Sequence, residues 1–234
     1  MGFIPEADAK KKAATRQLIL ETAMRLFSEK SIDAVNLKEI GEAAGVSFMT
    51  VYRHFDKKPD LVLAVGIYAW QQFAGMIWER RERMEERHQM TAAEELAFYL
   101  DSFLILYREH RDMLRFNQLF NIYLKAENIK PDNAKAYRAF FDRVEEEFHA
   151  IYAKGEQDHT LRTDVPEGEM LSTTLHLMLA AVTRYAVGLV YHPEGGFHAE
   201  KELETMKEML LRMYSFGTPT SEESCSYSGN TDGR

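Results

Sequence analysis

Between Asn36 and Asp60 the chain reads NLKEIGEAAGVSFMTVYRHFDKKPD. Asn36, Ser47, Thr50, Tyr52 and His54 offer neutral hydrogen-bonding groups there, and Lys38, Arg53 and Lys58 offer cations. Hydroxyls, an imidazole and cations at this density suit contacts to phosphate, which set register without reading sequence. Covalent chemistry has less to work with. The single cysteine, Cys225, lies close to the C-terminal end, and no Ser/His/Asp or Cys/His set can be assembled from the sequence. Two Glu-x-x-His spacings, Glu85/His88 and Glu146/His149, match the pattern of di-iron helical-bundle enzymes. Both sit in strongly charged stretches rather than the apolar setting such a site needs. A di-iron helical-bundle enzyme is therefore kept only as an alternative reading, and no metal, cofactor or enzymatic activity is expected.

The 36–60 residues must be held by short helices. Asn36-x-x-Glu39 has the form of a capping box, and Gly45 tolerates the left-handed backbone of a helix exit. Ser47 can cap a further helix carrying Val51 and Phe55 on its inner side. Two short helices joined through Gly45-Val46-Ser47 fit a helix-turn-helix, whose second helix enters the major groove. The outward surface of that helix is then Ser47, Phe48, Met49, Thr50, Tyr52, Arg53 and His54, with base reading at its N-terminal tip.

Charge is distributed to match. The chain carries a net charge of −8, yet residues 1–60 balance at +1 and the remainder at −9. Lys10, Lys11, Lys12, Arg16 and Arg25 face only Glu21 between positions 10 and 25. That makes a cationic arm, although a solvated helix start would look the same.

Almost every other segment has a helical period, so the fold class is all-α. Ile19, Ala23, Leu26 and Phe27 mark a first helix. Pro59 opens a fourth, running to about Glu86 with Val62, Val65, Ala69, Phe73 and Met76 inward. Thr91-x-x-Glu94 caps a fifth, a sixth spans about 112–126, and Pro131 and Gly155 are expected to bound a seventh. Asp164-Val165-Pro166-Glu167 starts a long eighth helix expected to reach about Tyr191. Leu203, Met206, Leu210 and Met213 mark the last. Residues 215–234 are polar and read as a disordered tail.

Residues 16–65 resemble the TetR-family DNA-binding domain nearly from end to end. The likeness runs through Ala23-x-x-Leu26-Phe27, Ile40-x-x-Ala43-Ala44-Gly45-Val46-Ser47 and Thr50-x-Tyr52-x-His54-Phe55-x-x-Lys58-x-x-Leu61. A weaker likeness, Leu161-Arg162-x-Asp164 before a long apolar helix, falls where family members begin their dimerisation helices. The resemblance implies DNA contacts, mostly to the backbone, from Thr50, Tyr52, His54, Lys58 and Asn36. The chain departs from the family pattern at Phe48 and Met49, where Lys and Gly are frequent. Two apolar side chains there could meet thymine methyls or pack back on the first helix.

The expected organisation is a three-helix DNA-binding domain over 10–60 joined to a helical ligand-binding and dimerisation domain over 61–214. The eighth helix is apolar on nearly all sides and so must be covered on both. This suits a homodimer through residues 165–214. Aromatic residues crowd the middle helices, and Phe103, Tyr107, Tyr123, Phe140, His176 and Arg184 are candidate contacts for a small effector. The function expected is that of a regulator, repressing in the simplest case, which binds a palindromic operator of double-stranded DNA and leaves it when an apolar or aromatic effector binds. A constitutive DNA-binding regulator is the alternative. One cysteine, no signal-like N-terminal run and no uninterrupted apolar span near the ~18 residues that cross a bilayer fit a cytoplasmic protein without membrane contact.

Overall fold

The computed structural model describes residues 6–130, 134–194, 196 and 198–216. Among these there are nine helices and no strand beyond one isolated bridge, Leu161 to Ser215. They are α1 (Glu6–Lys30), α2 (Leu37–Ala43), α3 (Phe48–His54), α4 (Lys58–Glu85), α5 (Ala92–Glu109), α6 (Arg111–Ala126), α7 (Lys135–Asp158), α8 (Glu167–Ala186) and α9 (Ala199–Tyr214).

The first three helices form where local signals place them. Asn36 caps α2 by accepting from the Glu39 amide at 3.0 Å. The α2 exit is a Schellman turn: Gly45 takes φ +67°, its amide bonds Glu42, and Val46 N–H reaches back to Gly41 at 2.9 Å. Ser47 then caps α3 through the Thr50 amide at 3.1 Å. Ile19, Ala23, Phe27, Ile40, Val51 and Phe55 close an apolar core between α1, α2 and α3. That core does not stop at residue 60. Leu61, Val62 and Val65 of α4 belong to it, as do Phe116, Phe120, Tyr123 and Leu124 of α6.

The second core gathers α5, α7, α8 and α9 around the later turns of α4, with Ala69, Phe73 and Ile77 buried. The Thr91/Glu94 capping box starts α5 as its spacing predicts. Glu95 of α5, almost wholly buried, is held by Arg81 of α4 at 2.7 Å and Lys154 of α7 at 2.5 Å. A buried charge needs such partners. Helix α4 is, among the described residues, the one long and apolar enough by composition to cross a membrane. Its apolar residues are divided between the two protein cores.

Two helix ends differ from expectation. Gly155 does not close α7, which continues to Asp158 with His159 in the left-handed region at φ +56°. Gly155 instead lets Leu161 approach: a Cβ there would lie 2.8 Å from the Leu161 Cβ. Helix α8 stops at Ala186 and not near Tyr191, because Gly188 at φ +75° completes a second Schellman turn, with Leu189 N–H bonding Arg184 O at 3.2 Å. The apolar run Val187–Val190 only imitates a helical continuation. The expected Pro131 start of α7 and the tail from 217 onward lie outside the described residues.

Candidate nucleic-acid interface and adjoining cavity

Helix α3 turns Val51 fully inward and leaves Phe48, Met49, Tyr52 and Arg53 exposed. Neither apolar residue at its tip packs back on α1. Met49 is 72% exposed, and Phe48, 42% exposed, sets its ring against Tyr52 on the same helix. The polar groups form a chain along the outer face. The Ser47 and Thr50 hydroxyls lie 2.9 Å apart, and Arg53 donates to Thr50 Oγ1 at 3.4 Å.

The cationic arm reaches this surface. It is the N-terminal part of α1, with Lys10, Lys11, Lys12 and Arg16 exposed. The Arg16 guanidinium lies over the Phe55 ring at 5.1 Å. Burial, followed by the charges of Lys12, Arg53 and Arg16, lowers the His54 pKa from its usual value. Four cationic or imidazole side chains from α1 and α3 thus share one electropositive face. Lys58 caps a loop by donating to Asp33 O at 3.2 Å, and burial lowers its pKa. Asn36 is engaged as an N-cap, and Lys38 pairs loosely with Glu42 at 3.8 Å on the surface. Arg25, also expected in the arm, is tied to Glu29 at 3.3 Å.

Behind this unit lies a cavity of about 710 Å³ between α4, α5, α6, α7 and α8. Trp70, Phe73, Phe103, Phe120, Phe140 and Phe148 supply much of its wall. Of the candidate ligand contacts, Phe103, Phe140, His176 and Arg184 line it. Tyr107 and Tyr123 do not. One turn beyond Phe103, Tyr107 has rotated toward Tyr185, whose ring lies 6.4 Å away, and Tyr123 is spent in the N-terminal core. His176 and Arg184 are exposed, so neither is the buried cation that an apolar helix suggests. Sequence reasoning missed Trp70, Trp78, Asn117 and Thr174. Their types are ordinary for a core, and only the convergence of five helices marks them.

The two Glu-x-x-His spacings are surface pairs. His149 bonds Glu167 at 3.0 Å, and His88 approaches Glu94 at 3.6 Å. Among the described residues no group of three His, Cys, Asp or Glu side chains could hold a metal ion.

A capped helix–glycine turn–helix with an exposed polar outer face, fixed on an all-helical body, defines a helix-turn-helix DNA-binding protein. The family model for bacterial regulatory proteins of the tetR family matches residues 19–65. The HTH-type transcriptional regulator AcrR of Shigella flexneri is 49% identical over 47 residues, covering 20% of this chain and 22% of that protein. The chain spans less than half the length of the curated relatives it matches. Over the whole fold it is similar to the fatty acid degradation regulator FadR from Bacillus halodurans, at TM-score 0.63 and 14% identity, covering 90% of this chain and 97% of that one. It is similar too to FadR from Bacillus subtilis, solved with stearoyl-CoA, at TM-score 0.63 and 19% identity, covering 83% and 97% of the two chains. Residues 19–65 thus carry the sequence pattern of the TetR-family DNA-binding domain, and the chain as a whole shares the fold of solved TetR-family proteins.

Proposed function

We propose that this chain is a cytoplasmic, ligand-responsive repressor. It binds a palindromic operator as a homodimer, and a small, largely apolar or aromatic effector releases it. Residues 10–60 supply the DNA-reading unit and residues 61–214 the effector-binding and dimerisation body. Ser47, Thr50, Tyr52, Arg53, His54 and Lys58 hold phosphates together with the α1 arm, and Asn36 and Lys38 flank them at the start of α2. Phe48 and Met49 meet base edges.

The observation that carries this reading is that α4 serves both units. Leu61, Val62 and Val65 are part of the core behind α3, while Trp70, Phe73 and Ile77, two to four turns along, form the cavity wall. A compound wedged against those side chains presses on the helix that fixes α3. The stearoyl-CoA bound by the FadR neighbour is a precedent for an effector with a long apolar part. Release requires the effector to prefer the arrangement that does not fit DNA, since equal affinity for both shifts nothing.

The homodimer rests on an uncovered apolar face. Leu177 of α8 and Met209 and Met213 of α9 are each more than half exposed, as is Phe216 just beyond α9. A palindromic operator follows from two-fold symmetry, with half-sites one helical turn or a multiple apart.

The test is a thermal-shift screen of apolar and aromatic compounds, followed by operator titration with each hit. A coupling of ~1–3 kcal/mol weakens operator binding about 5- to 150-fold, and operator weakens effector binding by the same factor. Hits that bind without changing operator affinity would overturn ligand control through this cavity. A broad screen with no binder would favour a constitutive regulator.

A further inference from the structure

Among the described residues, four side chains bury a polar atom that has no hydrogen-bond partner: Tyr99, Thr174, Thr183 and His110. Three of the four line the one cavity of about 710 Å³. The fourth, His110, sets its ring edge-on to the cavity residue Phe73 at 5.5 Å. Native structures leave few such groups, because an unsatisfied buried donor or acceptor costs about 1–3 kcal/mol. A threonine within a helix usually turns its hydroxyl back to the carbonyl four residues earlier, as Thr205 does to Lys201 at 2.9 Å. Thr174 and Thr183 are 6% and 7% exposed and make no such bond. Their hydroxyls are available to something in the cavity.

The charged groups around the cavity argue against an ion as its occupant. Arg184 and His176 stand at an exposed rim, where a pair with an anion gains little against water and salt. The carboxylate on the wall, Glu147, repels an anion. Of the rings an organic cation could use beside it, that of Trp78 is already taken. Arg143 lies 3.7 Å from Glu147 and stacks over the Trp78 ring at 3.8 Å, so the protein's own guanidinium fills that place. The Tyr99 phenol is raised in pKa by burial first and by the charge of Glu147 second, with hydrogen bonding toward that carboxylate contributing, so its proton is directed at Glu147 and the two threonines are the open groups.

We propose that the effector is an uncharged, largely hydrocarbon molecule carrying hydroxyl or carbonyl oxygens, held by hydrogen bonds to Thr174 and Thr183 in an otherwise aromatic cavity. This rests on the reading of the cavity as the effector site and narrows its chemistry. The two threonines are nine residues apart on α8, about 13 Å along the axis at ~1.5 Å per residue. Nine residues are also about two and a half turns, so the two hydroxyls meet the cavity from different sides of α8 and hold different parts of the molecule.

The experiment uses the full chain loaded with the uncharged dye N-phenylnaphthylamine. It measures displacement by four compounds of equal chain length: dodecyl alcohol, methyl decyl ketone, dodecanoate and dodecyltrimethylammonium. The alcohol and ketone are expected to displace the dye at concentrations at least about tenfold lower than either ion. Thr174→Val and Thr183→Val keep the side-chain volume, and their melting curves confirm that they fold. At least one of them is expected to weaken the alcohol or ketone about fivefold, the worth of one net hydrogen bond of ~1 kcal/mol, with dye affinity unchanged. Tightest displacement by dodecanoate or by the ammonium compound overturns the proposal, as do valine variants that behave like the parent. Failure of all four compounds to displace bound dye overturns the ligand class as well. None of these outcomes decides ligand control itself, which the operator titration measures separately.

Discussion

The rings of Phe48 and Tyr52, one turn apart on α3, meet edge to face with centroids 4.5 Å apart and planes at 67°. The contact holds Phe48 outward at the N-terminal end of α3, the end proposed to face base edges, with Met49 beside it. Each thymine methyl buried against them is worth about 0.8 kcal/mol, or about fourfold in affinity. Replacing thymine by uracil in the operator is expected to cost the parent protein about that factor per contacted base. Phe48→Ala and Met49→Ala are expected to be insensitive to the replacement. Equal sensitivity in parent and variants, measured by operator titration, would remove both residues from base reading.

At the proposed interface, His54 is expected to give operator binding a pH dependence. Burial and the charges of Lys12, Arg53 and Arg16 lower its pKa below the usual value of about 6.5. The folded chain therefore resists its protonation, and the stability this group contributes is present above that value and lost as pH falls through the lowered one. A phosphate beside the imidazole acts in the opposite direction. Operator binding is expected to take up protons and to strengthen as pH falls from 8 toward 6, and His54→Gln is expected to flatten the profile. Titration calorimetry in buffers of different ionisation enthalpy reads the protons directly.

Phe120 joins the cavity to the DNA-binding unit. Its ring fills the notch at Gly66 on α4, where an added Cβ would stand 2.5 Å from the ring tip. It also packs on Phe116, which stacks with Phe27 of α1 at 6.3 Å and 13°. Gly66→Ala is expected to destabilise the chain by about 1–3 kcal/mol through overpacking and to change operator affinity without any effector. Adding Phe120→Leu should restore much of the stability, with a coupling of about 0.5–3 kcal/mol between the two sites. Melting curves of the two single variants and the double variant test this. Additive effects would sink the contact as a coupling element.

The proposed dimer face yields a cleaner substitution than the sequence does. An apolar helix offers Leu179 and Val187 as readily as Leu177, yet the first two line the cavity and only Leu177, 54% exposed, is free for a partner. Leu177→Glu is expected to give a folded monomer with an unchanged helical spectrum and much weaker operator binding. Sedimentation equilibrium at micromolar concentration checks it. A parent chain that is itself monomeric there would refute the homodimer.

The sequence by itself determined the helix-turn-helix, because its signals are local. Asn36 and Ser47 cap amides three residues away, Gly45 supplies a left-handed turn, and Val51 and Phe55 fall on the inner side of a short helix. The all-α class followed from hydrophobic period alone. Helix ends were read less well where an apolar run continued past a glycine, as at Gly188, or where a glycine served close packing, as Gly155 does against Leu161. Only the tertiary structure decided which aromatics enclose a cavity and which fill a core. Phe103 and Tyr107 are alike in type and one turn apart, but α5 meets different neighbours at each. It decided, too, that Arg184 is exposed while Thr174 and Thr183 are buried without partners. Burial depends on which helices cover a position from far along the chain, and no period within one helix records that.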